Sequence, residues 1–598
     1  MKKSIVHILQ KIKQLLSGNK PMEAKLTKAG ITYHDVNQLL SEAAIRHNIP
    51  PEIIKAIAYK ESNWNQWVDD EQTIPTRSSA GAIGIMQVYS NICKEGETEG
   101  CYNKQRLERD IAYNIDAGCE ILNQKWNQAK WNQIPMVNDG NRNRLESWYF
   151  ALLAYNGQRP RNNPFERDGN RKEDTYQDGI FSIMEQYSLA TSLAALPLQE
   201  EDFYEENNLL RYRKLQYEVD TLLTKSRQMY QPGDIAYVSY SDDFKVSPSA
   251  ADGAEVTQQM VRVLSSHHYI DKSTRNNRIH FVRYNVELEN GQIGYMSSEV
   301  MEPVVTRISG KDRYETSAAL SREGFWEGAS TVVLVRGDEF TDALAGTPLA
   351  YKLDAPILLT RTSRLPSDVK EEIDRLRARK VILLGGENAI GLEVEMELRG
   401  RGLDVQRIAG SNRYETAARI AEMLGYSHGK AILAYGDNFP DALTIAPYAA
   451  QKGIPILLTK TDVLPDETRI ALERAQQTIV IGGTGIISES VMDQVPGEAI
   501  RLAGRDRYET AQMINEVLQV GNRMAMVTTG EAFPDSLAVS VLAARRRASV
   551  LIVKKTKVPD AIEKLILENL IEEFSIIGGT NVIDIAEDLK RMGRKIRR

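Results

Sequence analysis

The sequence predicts a multidomain chain: a helical domain, a small β domain, then three doubly wound α/β units. Three observations predict it. Apolar residues at helical spacing fill Pro50 to Asn65 and return in NIDAGCEILNQKW, residues 114 to 126. From Pro232 the pattern turns to alternation, GDIAYVSYS and then RIHFVRYNVELENGQIGYMSSEVMEPV, with Asn290 and Gly291 as a hairpin signal. Finally, RISGKDRYETSAAL at Arg307, RIAGSNRYETAARI at Arg407 and RLAGRDRYETAQMI at Arg501 mark a repeat with a period near one hundred residues.

The chain of 598 residues is 42% hydrophobic and 26% charged, with a net charge of −6, which reads as globular and argues against a dedicated nucleic-acid binder. Its basic end KRMGRKIRR, residues 590 to 598, reads as a solvated tail. Residues 1–31 form a basic segment, MKKSIVHILQKIKQLL and onward, read as a plain exposed helix. That segment lacks an apolar core of about 7 to 15 residues and a small-residue cleavage site, so no secretory signal is expected. No run approaches about 18 apolar residues, so no membrane span is expected either. Cys93 and Cys101 bracket the polar loop KEGETEG and can close a disulfide if the protein matures outside the cell. Cys119 reads as a small buried residue and His267 with His268 as surface, and no ligand spacing points to zinc or another metal.

Within PPEIIKAIAYKESNWN, Pro50 and Pro51 suit a helix start, and Ile54, Ile57 and Ala58 define its buried stripe. The next position on that stripe is Glu61. Burial raises the pKa of a carboxylic acid, and an acid protonated near neutral pH suits a leaving sugar oxygen. Alone, an ES pair at a helix end reads as a local ion pair. Two later stretches change that: GAIGIMQV, residues 81 to 88, and LLAYNGQ, residues 152 to 158.

The ordered set ESNWN, GIMQ and AYNG resembles the lytic transglycosylase family, relatives of goose-type lysozyme in glycoside hydrolase family 23, across about residues 32 to 190. The resemblance implies an α-helical lysozyme-like domain, taken as residues 32–197. It implies Glu61 as acid and base, with Ser62 helping to hold the carboxyl. Gln87 would lie beside the sugar's N-acetyl group with Met86 below it, and Tyr155, Asn156 and Tyr176 would position the muramic acid ring. Tyr176 is followed by Gln and Asp where the family prefers apolar residues, and Gly157 by Gln158 in place of a small residue. No metal or cofactor is implied. One alternative is a hydrolytic muramidase in which Asp69, Asp70 or Glu71 activates water; another is a surface-layer or particle protein whose catalytic fold only grips glycan.

Residues 198–231, with EENNLLRYRKLQYEVDTLL, are expected to form a helical linker. Over residues 232–303 the GQIGYM segment and the following valine and proline strand resemble a bacterial SH3-like module, a small β-barrel, with GAEVTQQMVRVLSSHH, residues 253 to 268, as an inserted helix. Its expected role is binding peptidoglycan stems or spacing the domains.

The repeats are divided as 304–403, 404–498 and 499–598. Each opening is followed by an apolar strand and turn, VVLVRGDEFTDAL, AILAYGDNFPDAL and AMVTTGEAFPDSL, and by two further apolar strands, the last closing on paired glycines at 385, 482 and 578. Short continuous apolar runs between helical segments predict parallel strands covered on both faces. Asp342, Asp441 and Asp535 recur at a strand's carboxyl end, where capping or ligand contact is expected. Arg313, Arg413 and Arg507 recur before Tyr, Glu and Thr, as structural ion pairs or contacts to an acidic polymer. As a set the repeats resemble the type 2 cell-wall-binding repeats of Gram-positive bacteria over residues 304 to 598. That implies a pseudo-threefold block holding an anionic secondary wall polymer without a covalent link. The combined expectation is a peptidoglycan lytic transglycosylase acting on glycan strands at the wall. Its export would use phage lysis, mother-cell release or a contractile particle.

Overall fold

The computed structural model of the chain describes residues 30–597 apart from 70, 95, 96, 98, 167, 173, 188, 191, 192, 220, 248–252, 266–280, 340, 439, 522, 532–535 and 537. The expectations for residues 1–29, Asp70, His267, His268 and Asp535 lie outside the described residues.

Among the described residues, six α-helices build the first domain: α1 Tyr33–Arg46, α2 Pro51–Ser62, α3 Lys104–Arg109, α4 Ile111–Asn127, α5 Tyr149–Tyr155 and α6 Tyr176–Gln186. Thr32 and Asp35 form a capping box that starts α1. α2 starts on proline and stops at Asn63, whose φ of 57° is the left-handed conformation asparagine tolerates. It packs against α1 and α6, while α4 packs against α1 and α5. Ile53, Ile54, Ile57 and Ala58 are fully buried, and so are Glu52 and Lys55 on the same helix. Buried charges persist only when paired and hydrogen-bonded. Here Ser226 and the Arg227 backbone N–H donate to Glu52, and Lys55 donates to Gln228 Oε1 at 2.5 Å. The segment entering the β domain therefore grips the helix that carries Glu61.

Residues 198–231 are not a helix. Phe203–Glu206 pairs antiparallel with Leu209–Tyr212, and Gln216–Tyr217 pairs parallel with Met136–Val137. Asn207 and Asn208, with φ of 50° and 59°, make the two-residue turn that sets the hairpin.

The β domain comprises β1 Ile235–Phe244, β2 Ala254–Val263, β3 Arg283–Glu287, β4 Ile293–Ser297 and β5 Glu302–Ile308. The helix expected over 253–268 is thus a strand across 254–263. Gln258 at φ 46° interrupts its alternation, so the buried set Val256, Met260, Val261 and Val263 imitates helical spacing. Lys245, just beyond β1, bridges Tyr295 of β4 and curls the sheet back on itself. The expected separate barrel is instead joined to the repeats through β5.

Each repeat contributes an opening strand and three further parallel strands among the described residues: after β5, the first has β6 Thr331–Arg336, β7 Ile357–Thr360 and β8 Lys380–Leu384; then β9 Asp404–Ile408 opens the second repeat, with β10 Lys430–Tyr435, β11 Ile456–Thr459 and β12 Gln477–Ile481; then β13 Glu498–Leu502 opens the third, with β14 Met524–Thr529, β15 Ser549–Val553 and β16 Glu573–Ile577. The sheets run β7-β6-β8-β9, β11-β10-β12-β13 and β15-β14-β16-β5-β1-β2-β3-β4. Every opening strand therefore completes the sheet of the preceding repeat, and β5, which opens the first, completes the third. The glycine pairs serve this closure: the N–H groups of Gly385, Gly482 and Gly578 donate to Ile408, Leu502 and Ile308 at 2.9, 3.0 and 2.9 Å. The opening arginines answer, with Arg407 donating to Gly385 O, Arg501 to Gly482 O and Arg307 to Gly578 O. Helices Thr341–Lys352, Pro440–Lys452 and Val539–Arg546 touch one another pairwise at the centre of the block.

The basic end is no solvated tail. Residues 590–597 belong to helix Ala586–Arg597, with Leu589 and Met592 fully buried, Arg591 and Lys595 paired with Glu563, and Arg594 paired with Glu289. The helical domain docks on the repeats through a buried bidentate pair, in which Arg144 donates to Glu573 at 2.8 and 2.6 Å. No described helix is long and apolar enough to cross a membrane.

Candidate functional site

Glu61 sits one residue before the end of α2, half-buried, where the helix gives way to Asn63 and Trp64 in left-handed conformations. The phenol of Tyr176, at the first position of α6, donates to Glu61 Oε1 at 2.6 Å. Burial pushes the Glu61 carboxyl above its ordinary value, against the opposing pull of the Tyr176 hydrogen bond and the charges of Lys60 and Arg161. The Lys60 ammonium lies 5.7 Å from the centre of the Tyr176 ring, and the Tyr155 ring stacks on Tyr176 with centroids 6.4 Å apart. Burial, then the Glu61 charge, holds both phenols far above the usual tyrosine range, so they serve as donors and do not ionise.

The 83–88 turn packs beside this cluster, joined to α2 through Ser62 and to Tyr155. Gly84 has a φ of 75°, and a Cβ there would come within 2.3 Å of Asn114 Nδ2 and 2.5 Å of Gln66 Oε1, so only glycine fits. Gln66 accepts the Ile85 N–H at 2.8 Å and Asn114 the Met86 N–H at 3.0 Å. Tyr155 donates to Met86 O at 3.0 Å. Met86 is fully buried over Gly118, whose bare Cα leaves room for it. Gln87 is half-buried, and its amide N–H donates to Gly84 O at 2.7 Å. Asn156 turns its side-chain oxygen to Arg161 and Asn162, both at 3.2 Å, fixing the loop after α5.

The geometry gathers Glu61, Tyr176, Tyr155 and Met86 into one cluster. Ser62 behaves differently from expectation: its hydroxyl lies 3.0 Å from Ala58 O and 2.8 Å from Ile85 O, so it ties α2 to the 83–88 turn and leaves the carboxyl to Tyr176. Sequence reading missed Lys60, Arg161, Gln66 and Asn114. Asn114 carried a signal, an amide on the buried stripe of α4 between Ile111 and Ile115. Asp69 spends its carboxylate on Thr73 and on the Ile74 N–H within its own turn, and lines a cleft with Tyr33, Trp64 and Trp67 that does not include Glu61. Glu71 is exposed. Cys93 and Cys101 are joined as a disulfide with Cα atoms 5.0 Å apart, and Cys119 is fully buried.

In the repeats, Arg313, Arg413 and Arg507 each donate to a turn carbonyl, Gly337, Gly436 and Gly530 respectively. Asp342 lies over Gly385 of its own repeat and is acted on by Arg413 of the next; Asp441 is acted on likewise by Arg507. Burial lifts both aspartates to about 6 despite those arginines. These residues thus meet across repeat boundaries, which comparison of repeats as separate units did not reveal.

Comparison with known proteins matches residues 38–177 to the family described as Transglycosylase SLT domain, and residues 307–395, 407–492 and 501–586 to Cell wall binding domain 2 (CWB2). The chain is 34% identical over 304 residues to N-acetylmuramoyl-L-alanine amidase LytC of Bacillus subtilis, covering 50% of this chain and 61% of that protein. It is 36% identical over 282 residues to the Amidase enhancer of Bacillus subtilis, covering 47% of this chain and 39% of that protein. The chain therefore spans only part of the length of these relatives. Among solved structures, Cwp8 from Clostridium difficile is similar at 24% identity and a TM-score of 0.46, over 55% of this chain and 60% of that one. Cwp6 from the same organism is similar at 21% and 0.45, over 61% and 64%. The chain thus carries a transglycosylase SLT domain over residues 38–177 and three cell wall binding domain 2 repeats between residues 307 and 586.

Proposed function

We propose that this chain is a peptidoglycan-cleaving enzyme of lytic transglycosylase type, held at a Gram-positive cell wall by its three repeats. The observation that carries the reading is Glu61, a half-buried acid with a raised pKa and Tyr176 on its carboxyl, inside a matched SLT domain. Protonated Glu61 gives its proton to the oxygen linking N-acetylmuramic acid to N-acetylglucosamine as the bond to the anomeric carbon breaks. The Glu61 carboxylate then takes the proton of the muramic acid C6 hydroxyl, whose oxygen closes on the anomeric carbon, assisted by the substrate's N-acetyl group. The product is a 1,6-anhydro ring, and no water is consumed. Tyr176 donates to the carboxylate between the two steps; Tyr155 and Asn156 shape the wall, with Gln87 at its rim and Met86 beneath. Asp69, committed to its own turn, favours this route over hydrolysis.

The repeats would grip an anionic secondary wall polymer. Arg313 and Arg507 keep further N–H groups after their turn contacts, while Arg413 is also paired with Asp437 and Glu339; three similar units on one chain gain avidity at a repetitive polymer. The working location is the wall or extracellular space. Replacing Glu61 by Gln preserves shape and removes the proton donor. Wall lysis, followed as loss of turbidity, should fall by at least about 10²- to 10⁴-fold with folding retained. Lysis near the wild-type rate would rule the assignment out.

A further inference from the structure

A cavity of about 560 Å³ opens between the helical domain and the repeat block, away from Glu61. Asn48, Asn132 and Asn141 line it from the helical domain, and Trp326 from the first repeat. The charges around it are already matched: Lys130 and Arg142 on Glu327, Arg546 on Asp139 and Glu323, Arg545 on Asp354, and Arg322 at 3.8 Å from Glu372. What remains is uncharged hydrogen-bonding capacity. Asn141 is only 7% exposed; its Oδ1 accepts the Asn143 N–H at 3.0 Å, but its amide NH₂ has no partner among the described residues. The side-chain amides of Asn48 and Asn132 and the indole N–H of Trp326 have none either, and Trp326 is 37% exposed.

The Asn141 NH₂ is open to the cleft, so a guest that hydrogen-bonds to it takes the place of water there. Balanced walls select a neutral guest. Each free amide offers a donor and an acceptor, which suits neighbouring hydroxyl or acetamido groups, and an indole face stacks on the C–H face of a pyranose ring. The volume falls in the range of small-ligand sites and accommodates one or two rings. We propose that this cleft binds a short neutral glycan, one or two pyranose rings long, as a second site remote from the chemistry. The choice of wall-type sugars as probes rests on the function proposed above; the chemistry of the cleft does not.

The test uses the full chain carrying Glu61→Gln, with nitrogen-15 in its tryptophans, titrated with N,N′-diacetylchitobiose and separately with cellobiose. The Trp326 indole N–H signal is identified by its loss in Trp326→Phe. It should shift saturably, and Asn132→Ala, at an exposed position, should weaken that binding by roughly 2- to 12-fold. A response to chitobiose alone assigns an acetamido sugar; equal responses assign a hydroxyl-bearing ring. A Trp326 signal that stays in place to the solubility limit of both sugars overturns the proposal and leaves a water-filled gap between domains. Wall lysis by the unmutated chain is read separately, so failure of the Glu61 assignment is distinguishable from failure here.

Discussion

Tyr176 and Glu61, 115 residues apart in sequence, meet through one hydrogen bond of 2.6 Å from phenol to carboxylate. That bond stabilises the charged carboxylate and so opposes the upward push of burial. Removing it leaves Glu61 protonated to a higher pH. Proton donation to the leaving oxygen needs the protonated form, so activity is present below the folded pKa and lost as pH rises through it. Tyr176→Phe should therefore move the alkaline limb of the pH–rate profile of wall lysis upward. The maximal rate should fall, by roughly 10-fold or more, because the carboxylate formed after the first step loses its donor. An unmoved limb would separate Tyr176 from the titration of Glu61.

Beside the pairs of Lys130 and Arg142 with Glu327 and of Arg546 with Asp139, the docking of the two halves includes the buried pair between Arg144 and Glu573, each residue less than a tenth exposed. Removing one partner of a buried pair strands the other. Glu573→Gln should destabilise the docked state by about 3–5 kcal/mol, seen as a lower unfolding midpoint and faster proteolysis around residues 226–231. A variant as stable as the parent would show that the remaining contacts suffice.

Wall binding is testable with a fragment whose start respects the shared sheet. β5 begins at Glu302 and pairs with both β1 and β16. Cutting at Val304 would trim that strand and expose an open edge prone to association. A fragment from Gln231 to Arg598 keeps the eight-stranded sheet whole. It should sediment with walls that retain their anionic polymer and stay in solution once the polymer is stripped. Equal binding to both would move the role of the repeats from targeting to assembly.

Much of this architecture was legible because it depends on local pattern. Pro50 and Pro51 marked the start of α2, the ESNWN, GIMQ and AYNG stretches marked residues that the fold brings together, and the RYET openings marked the repeats. What stayed hidden depends on partners distant in sequence. Nothing local to Arg307 indicates that it closes the ring on Gly578, or that Asp342 faces the arginine of the next repeat. The hairpin at Asn207 and Asn208 was readable in principle, since paired asparagines between apolar runs favour a tight turn. Leu209, Leu210, Arg211 and Arg213, which follow the turn, fit helical spacing as well, and that pattern concealed it. Met592 looked like one apolar residue in a basic tail; its burial against the β domain and third repeat is a tertiary fact.

If Glu61 cleaves wall glycan without water, the masses of the released products carry the signature. Purified peptidoglycan digested by the full chain should yield muropeptides lighter by one water than their hydrolytic counterparts, with no reducing muramic acid ends, and Glu61→Gln should release neither. Reducing muramic acid ends as the main product would contradict the account and transfer the second step to a water activated elsewhere in the groove.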